Sequence, residues 1–163
     1  MARALLPGAP PARIAEVVAD YRRCSVDAAD EVPAFPGIPE LVRALRERGV
    51  TLGIATSKSI EVAEPVLDVL GLRASFAVVE GTPRDELGTA KETVVARALA
   101  GLQALGAPRP AALVGDRAHD VIGAHAHGLR AIGVLWGYGG RVELEAAGAD
   151  ALLERPQDLL GLL

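Results

Sequence analysis

Aromatic residues are scarce, at 3% of the 163 residues, so any core must be built mostly from Ala, Val, Leu and Ile. Half of the residues are hydrophobic, which is enough to supply one. Cysteine is almost missing. The lone Cys24 cannot close an intrachain disulfide and has no partner cysteine for a metal site. No apolar run approaches the roughly 20 residues that a membrane-spanning helix needs. A net charge of −4 and a pI near 5.4 argue against electrostatic binding to nucleic acid. Pro7, Pro10 and Pro11 interrupt the opening stretch too early for a signal peptide. These exclusions leave a cytoplasmic protein as the expectation, folded as one domain or as a domain with a small appendage.

Lysine is nearly as rare as cysteine. Of 17 basic residues, all but Lys58 and Lys91 are Arg. A chain that favours Arg so strongly yet keeps two Lys points to a need for a compact point charge at those positions. Chance accounts equally well for either taken alone.

What is present alternates. "PARIAEVVADYRR" puts Ile14, Val17, Val18 and Tyr21 on one helical face. "VDAADEVPAFPG" reads as a linker punctuated by Pro33, Pro36 and Gly37. "IPELVRALRERG" is a helix with Pro39 in its first turn and Gly49 past its end. "VTLGIA" follows as a strand. "SIEVAEPVLDVLG" is a helix with Val62, Val66 and Val69 inward and Gly71 as its stop. "ASFAVVE" is a short strand. "TAKETVVARALAGLQALG" is a long helix opened by a capping box from Thr89 to Glu92. Then come "AALVG" (strand), "AHDVIGAHAHG" (helix) and "RAIGVLW" (strand). "RVELEAAG", "DALLE" and "PQDLLGLL" finish as helix, strand and helix. No internal repeat or low-complexity tract interrupts the order.

Continuously apolar strands that alternate with helices indicate a parallel sheet covered on both faces, an α/β fold. Right-handed crossovers place the carboxyl ends of all strands along one edge, outside which ligands bind. Thr56, Ser57 and Lys58 follow "VTLGIA", Asp116 follows "AALVG", and Gly137–Gly140 follow "AIGVLW". Lys91 lies in the first turn of the long helix, whose amino end is on the same edge. Four separate segments thus converge on one rim.

The set suits a phosphate ester. Thr56 can donate to a phosphate oxygen beside the backbone N–H groups that open the next helix. Lys91 can neutralise charge on a phosphoryl group. Asp116, with Asp120 behind it, offers oxygens to Mg2+, which takes one or two carboxylates and keeps several waters. Each residue also has a plain structural use: Thr56 as a helix cap, Lys91 as a solvated helix charge, Asp116 as a cap of the following helix. Jointly these uses explain the convergence poorly. His125 and His127 are two apart on a helix and point different ways, which excludes a metal pair. His119 fits a loop or supporting role beside the site.

"GIATSK", a Lys at a helix start and "LVGDRAHD" together resemble the second, third and fourth motifs of the haloacid dehalogenase superfamily. "FPGIPELVRALRERG", "GDRAHDVIGAHAHG" and "AIGVLWGYGGRVELEAAGAD" resemble its phosphoglycolate-phosphatase-like branch. The resemblance implies a Rossmann-like, three-layer parallel sheet with a helical cap inserted after the first strand. On this basis residues 1–32 are expected to be a cap remnant and residues 33–163 the core. It also implies that Thr56 and Ser57 bind phosphate, Lys91 acts with Thr56 in catalysis, and Asp116 and Asp120 serve Mg2+. The implied activity is magnesium-dependent hydrolysis of small phosphomonoesters, with a small phosphorylated metabolite as partner.

The sequence departs from the family at one point. The family's first motif, a strand ending in Asp-x-Asp, supplies the nucleophile, and no Asp-x-Asp occurs in these 163 residues. Family order would put it upstream of Met1, so the chain is expected to be a member cut at its amino end and inactive by itself. The alternative is a non-catalytic, phosphate-binding or regulatory remnant of the fold. Without that strand, "TLGIA" and "AALVG" would be left with unpaired facing edges. They are expected to close on one another, or to be bridged by the amino-terminal segment, by unlisted upstream residues or by strand exchange in a homodimer.

Overall fold

The computed structural model describes residues 7–83, 89–109 and 112–162. Five strands and six α-helices are found among them. Helix α1 spans Pro11–Asp27 and is followed by a 3-10 turn at Ala29–Glu31. Then come α2 (Ile38–Glu47), β1 (Gly53–Ser59), α3 (Ile60–Val69), a 3-10 turn at Arg73–Ser75 and β2 (Val78–Thr82). The second half is α4 (Lys91–Ala104), β3 (Ala112–Gly115), α5 (Ala118–Ala126) and β4 (Arg130–Val134). It ends with α6 (Arg141–Ala146), β5 (Ala151–Leu153) and a 3-10 helix at Pro156–Gly161.

All strand pairs are parallel, as expected from apolar strands alternating with helices. Strand β4 shows why three layers form. Its side chains alternate between faces, and all but Arg130 are buried. Ala131 joins one apolar cluster with Val95 of α4, Val121 and Ala124 of α5 and Leu144 of α6. Its neighbour Ile132 joins another with Leu41 and Leu45 of α2, Leu153 of β5 and Leu159 of the last 3-10 helix. The sheet is therefore sandwiched between helices, and the aliphatic residues carry the core.

Several expectations shift. Helix α1 runs on to Asp27, two residues into the expected linker. It buries Ile14 but leaves the Tyr21 ring in solvent, and Val69 at the end of α3 is likewise exposed. Helix α1 packs mainly on α3, with a smaller contact to the 3-10 turn at Ala29–Glu31, and these neighbours do not cover its whole apolar face. The capping box at Thr89 is displaced: Ala90 is the N-cap of α4 and makes no side-chain cap bond. The final segment is a 3-10 helix because Asp158 folds back on the Arg155 N–H, a tight turn opened by Pro156. Ala111, residues 1–6 of the expected cap remnant and Leu163 lie outside the described residues.

Strand pairing separates into two sets. β1 pairs with β2, and β3, β4 and β5 pair in that order, with no pairing between β1 and β3 among the described residues. Direct closure of the two facing strands, one of the expected outcomes, does not occur. Residues 11–27 cannot bridge them either, because they are helical. Ala55 of β1 and Leu113 of β3 nevertheless pack on the same cluster formed by α4 and α5. The helical layer thus holds the two half-sheets side by side, and their near edges pair with no other strand among the described residues.

Candidate functional site

Strand β1 and the helix that follows β3 meet through one lysine. Lys91 opens α4, and its Nζ donates to the Ala55 carbonyl of β1 at 2.6 Å. The same Nζ lies 2.7 Å from Asp120 Oδ1 on α5, with both side chains more than nine-tenths buried. Two of the three N–H donors of the ammonium are thereby used. Asp120 works on both sides. Its Oδ2 accepts the backbone N–H groups of Asp116 and Arg117, at 3.1 and 3.0 Å. A carboxylate three residues into a helix that reaches back to the cap N–H is half of a capping box, and here it starts α5. Gly115 makes room for it, since a methyl there would overlap the Asp120 side chain.

Asp116 is half-buried at the end of β3, and its Oδ2 accepts the Tyr138 N–H at 2.7 Å. The Gly137–Gly140 loop is drawn tightly around it. A side chain at Gly139 would overlap the Asp116 carbonyl, so only glycine permits that approach. On the other side, Thr56 stands where the β1–β2 register is interrupted between Ala55 and Ser59. The strand continues through Thr56, Ser57 and Lys58 instead of ending before them, as the sequence had suggested. Thr56 Oγ1 accepts the Lys58 N–H at 3.2 Å, which leaves the hydroxyl proton free to donate elsewhere. Ser57 and Lys58 are exposed, and the Ser57 carbonyl holds Thr82 of β2. Ser59, the N-cap of α3, is buried with its hydroxyl unpartnered.

The bond chain Ala55–Lys91–Asp120–Asp116 therefore places the Thr56 segment and Asp116 on one rim. Asp116 Oδ1 accepts no hydrogen bond among the described residues, whereas Asp120 is already taken by one ammonium and two N–H groups. That donor set fits a hard cation held by Asp116 and water, with Asp120 behind it. No group of three or more candidate metal-ligating side chains occurs among the described residues. His119 is exposed, with Nε2 3.7 Å from Asp120 Oδ1. His125 faces Asp150 and His127 faces the Glu92 carbonyl, so the two rings do point apart. Cys24 is exposed on α1.

Glu143 carries no local sequence signal that marks it as part of the site. From α6 it accepts the Ala118 N–H and the Arg117 Nε–H, both at 2.9 Å, and so steadies the turn after Asp116. The Ala118 N–H, then the Arg117 side chain, hold its carboxyl below the ordinary glutamate range. A depressed folded pKa adds stability above the unfolded value, about 4.3, and that contribution is lost as pH falls through the folded value. Glu143→Gln is therefore expected to lower the urea midpoint at pH 6–7, with the gap to wild type narrowing below about pH 4. A gap that stays constant down to pH 3 would contradict this assignment. No helix among the described residues is long and apolar enough to cross a membrane.

The fold agrees with what the chain is related to. A model of the haloacid dehalogenase-like hydrolases matches residues 2–128, so the chain belongs to that family. It is 39% identical over 154 residues to a phosphoglycolate phosphatase of Synechococcus elongatus, covering 94% of this chain and 70% of that protein. It is 44% identical over 105 residues to the tyrosine-protein kinase PtkA of Mycobacterium tuberculosis, covering 64% of this chain. That match spans only 35% of the kinase. Among solved structures, a putative phosphatase from Clostridium difficile superposes with a TM-score of 0.83 at 26% identity, covering 99% of this chain and 75% of that one.

Proposed function

We propose that the chain is the phosphate- and cation-handling part of a cytoplasmic, magnesium-dependent phosphatase of small phosphomonoesters. The observation that carries this is the buried Lys91 ammonium, which bridges the end of β1 and the Asp120 carboxylate beside Asp116. A cation buried at the junction of two half-sheets costs desolvation energy, and use on a phosphoryl group explains its place there. In this reading Thr56 donates its hydroxyl proton to a phosphate oxygen and Ser57 adds a second donor. Lys91 turns its remaining N–H to the same group. Asp116 holds Mg2+, with Asp120 orienting the loop, and the metal supplies charge neutralisation at the phosphoryl oxygens.

Residues 1–32 are the remnant of a cap and residues 33–163 the core. The facing edges of β1 and β3 are the place for a further strand, from upstream residues or a second copy in a strand-exchanged homodimer. Such a strand would also bring the missing nucleophile. The absence of Asp-x-Asp within these residues favours one second reading, a phosphate-binding module without catalysis.

Calorimetric titration with inorganic phosphate in the presence of Mg2+ tests the core of both readings. Thr56→Ala is expected to weaken binding about tenfold, the scale of a hydrogen bond to a charged group. Asp116→Asn is expected to remove the dependence on Mg2+. Phosphate that fails to bind the unaltered chain would dismiss the site.

A further inference from the structure

Resting on that phosphate site, a second feature bears on what the phosphate is attached to. The chain has five aromatic residues, and two of them meet at the rim. Phe35 and Tyr138 make an edge-to-face contact, with ring centroids 6.1 Å apart and planes at 68°. The Tyr138 ring is 87% exposed and Phe35 is 40% exposed. By contrast Trp136, two residues earlier, packs on the core cluster of α2, β4 and β5.

The pair's position is fixed from both sides. The Tyr138 N–H is bonded to Asp116 Oδ2, so the ring springs from a backbone anchored on the proposed cation ligand. Gly137 and Gly139 press against Asp116 and leave that anchor little freedom. Phe35 lies just before α2, where its carbonyl accepts the Ile38 N–H. An edge-to-face pair covers only one ring face, and an exposed ring face is a stacking surface for another flat π-system. Both rings are thus placed where a ligand at the proposed phosphate site could meet them.

We infer that Phe35 and Tyr138 recognise the leaving group, and that this group is a flat, unsaturated ring joined closely to the phosphate. An aliphatic alcohol of similar length would gain only nonspecific apolar contact at this position. A planar ring would stack on the Tyr138 face, within one side-chain length of Asp116.

The experiment compares phenyl phosphate, ethyl phosphate and inorganic phosphate by calorimetric titration of the full chain in Mg2+. Phenyl phosphate is expected to bind about tenfold more tightly than ethyl phosphate, the upper range of an aromatic pair. Tyr138→Ala is expected to reduce that ratio to about twofold, while Tyr138→Phe keeps it. Phe35→Ala should give an intermediate ratio. Inorganic phosphate that binds while the phenyl-to-ethyl ratio is near one, or is unchanged in Tyr138→Ala, overturns this inference and leaves the phosphate site standing. Failure of all three ligands to bind overturns both.

Discussion

Residues 1–163, supplied with Mg2+ and p-nitrophenyl phosphate, are expected to release phosphate no faster than the uncatalysed background. In the proposed site Thr56, Lys91 and Asp116 would supply charge and orientation, with Asp116 given to the cation and Asp120 to Lys91, and no further carboxylate is assigned to attack phosphorus. Asp116 is turned toward the Tyr138 N–H, and Asp120 is held by Lys91 and two backbone N–H groups. Losing the nucleophile from an otherwise intact hydrolase site costs about six powers of ten in rate. Turnover should return when an apolar strand ending in Asp-x-Asp is joined to the amino end through a flexible linker. The unpaired edges of β1 and β3 give such a strand backbone partners on both sides. Each buried polar group it satisfies relieves about 1–3 kcal/mol. Turnover by the unextended chain that disappears in Asp116→Asn would defeat the prediction, because it would require a nucleophile within these residues.

Much of this fold was legible because its signals are local. The Pro39 and Gly49 punctuation of α2 and the apolar runs of β3 and β4 follow from backbone chemistry that a short window contains. The convergence of Thr56, Lys91 and Asp116 was legible for a different reason: parallel topology forces strand ends to one edge. What the sequence concealed depends on partners distant in the chain. Strand β1 extends past Ala55 because Ser59 pairs with Thr82 beyond a register break. Glu143 could not be found from spacing, since it reaches the Asp116 loop from 25 residues away to Ala118. The Phe35–Tyr138 contact joins residues separated by most of the core. Tyr21 shows the converse error. Helical periodicity assigned it an inward face, but periodicity cannot say whether a neighbour is there to cover it.

Lys91→Met should be among the most destabilising single substitutions in the chain, lowering stability by about 3 kcal/mol in urea unfolding. Methionine nearly matches the lysine stem in volume, so the loss would come from charge and hydrogen bonding, with little cavity term. The ammonium is the direct link between the β1 half-sheet and the α5 start, through Ala55 O and Asp120 Oδ1. Its removal leaves the Asp120 carboxylate buried with only two N–H donors, and an uncompensated buried charge is the costly outcome. Lys58, the other lysine, is exposed, and Lys58→Met should change stability by no more than about 0.5 kcal/mol. The pair can be separated from its surroundings by a double-mutant cycle with Asp120→Asn. Asparagine keeps an acceptor for the Asp116 or Arg117 N–H but carries no charge to strand. The double variant should therefore be more stable than the sum of the single losses predicts, by more than about 1 kcal/mol. Additive losses, or a Lys91→Met cost as small as that of Lys58→Met, would mean that Lys91 behaves as an ordinary helix charge. In that case its burial between the two half-sheets would not be what holds them in register.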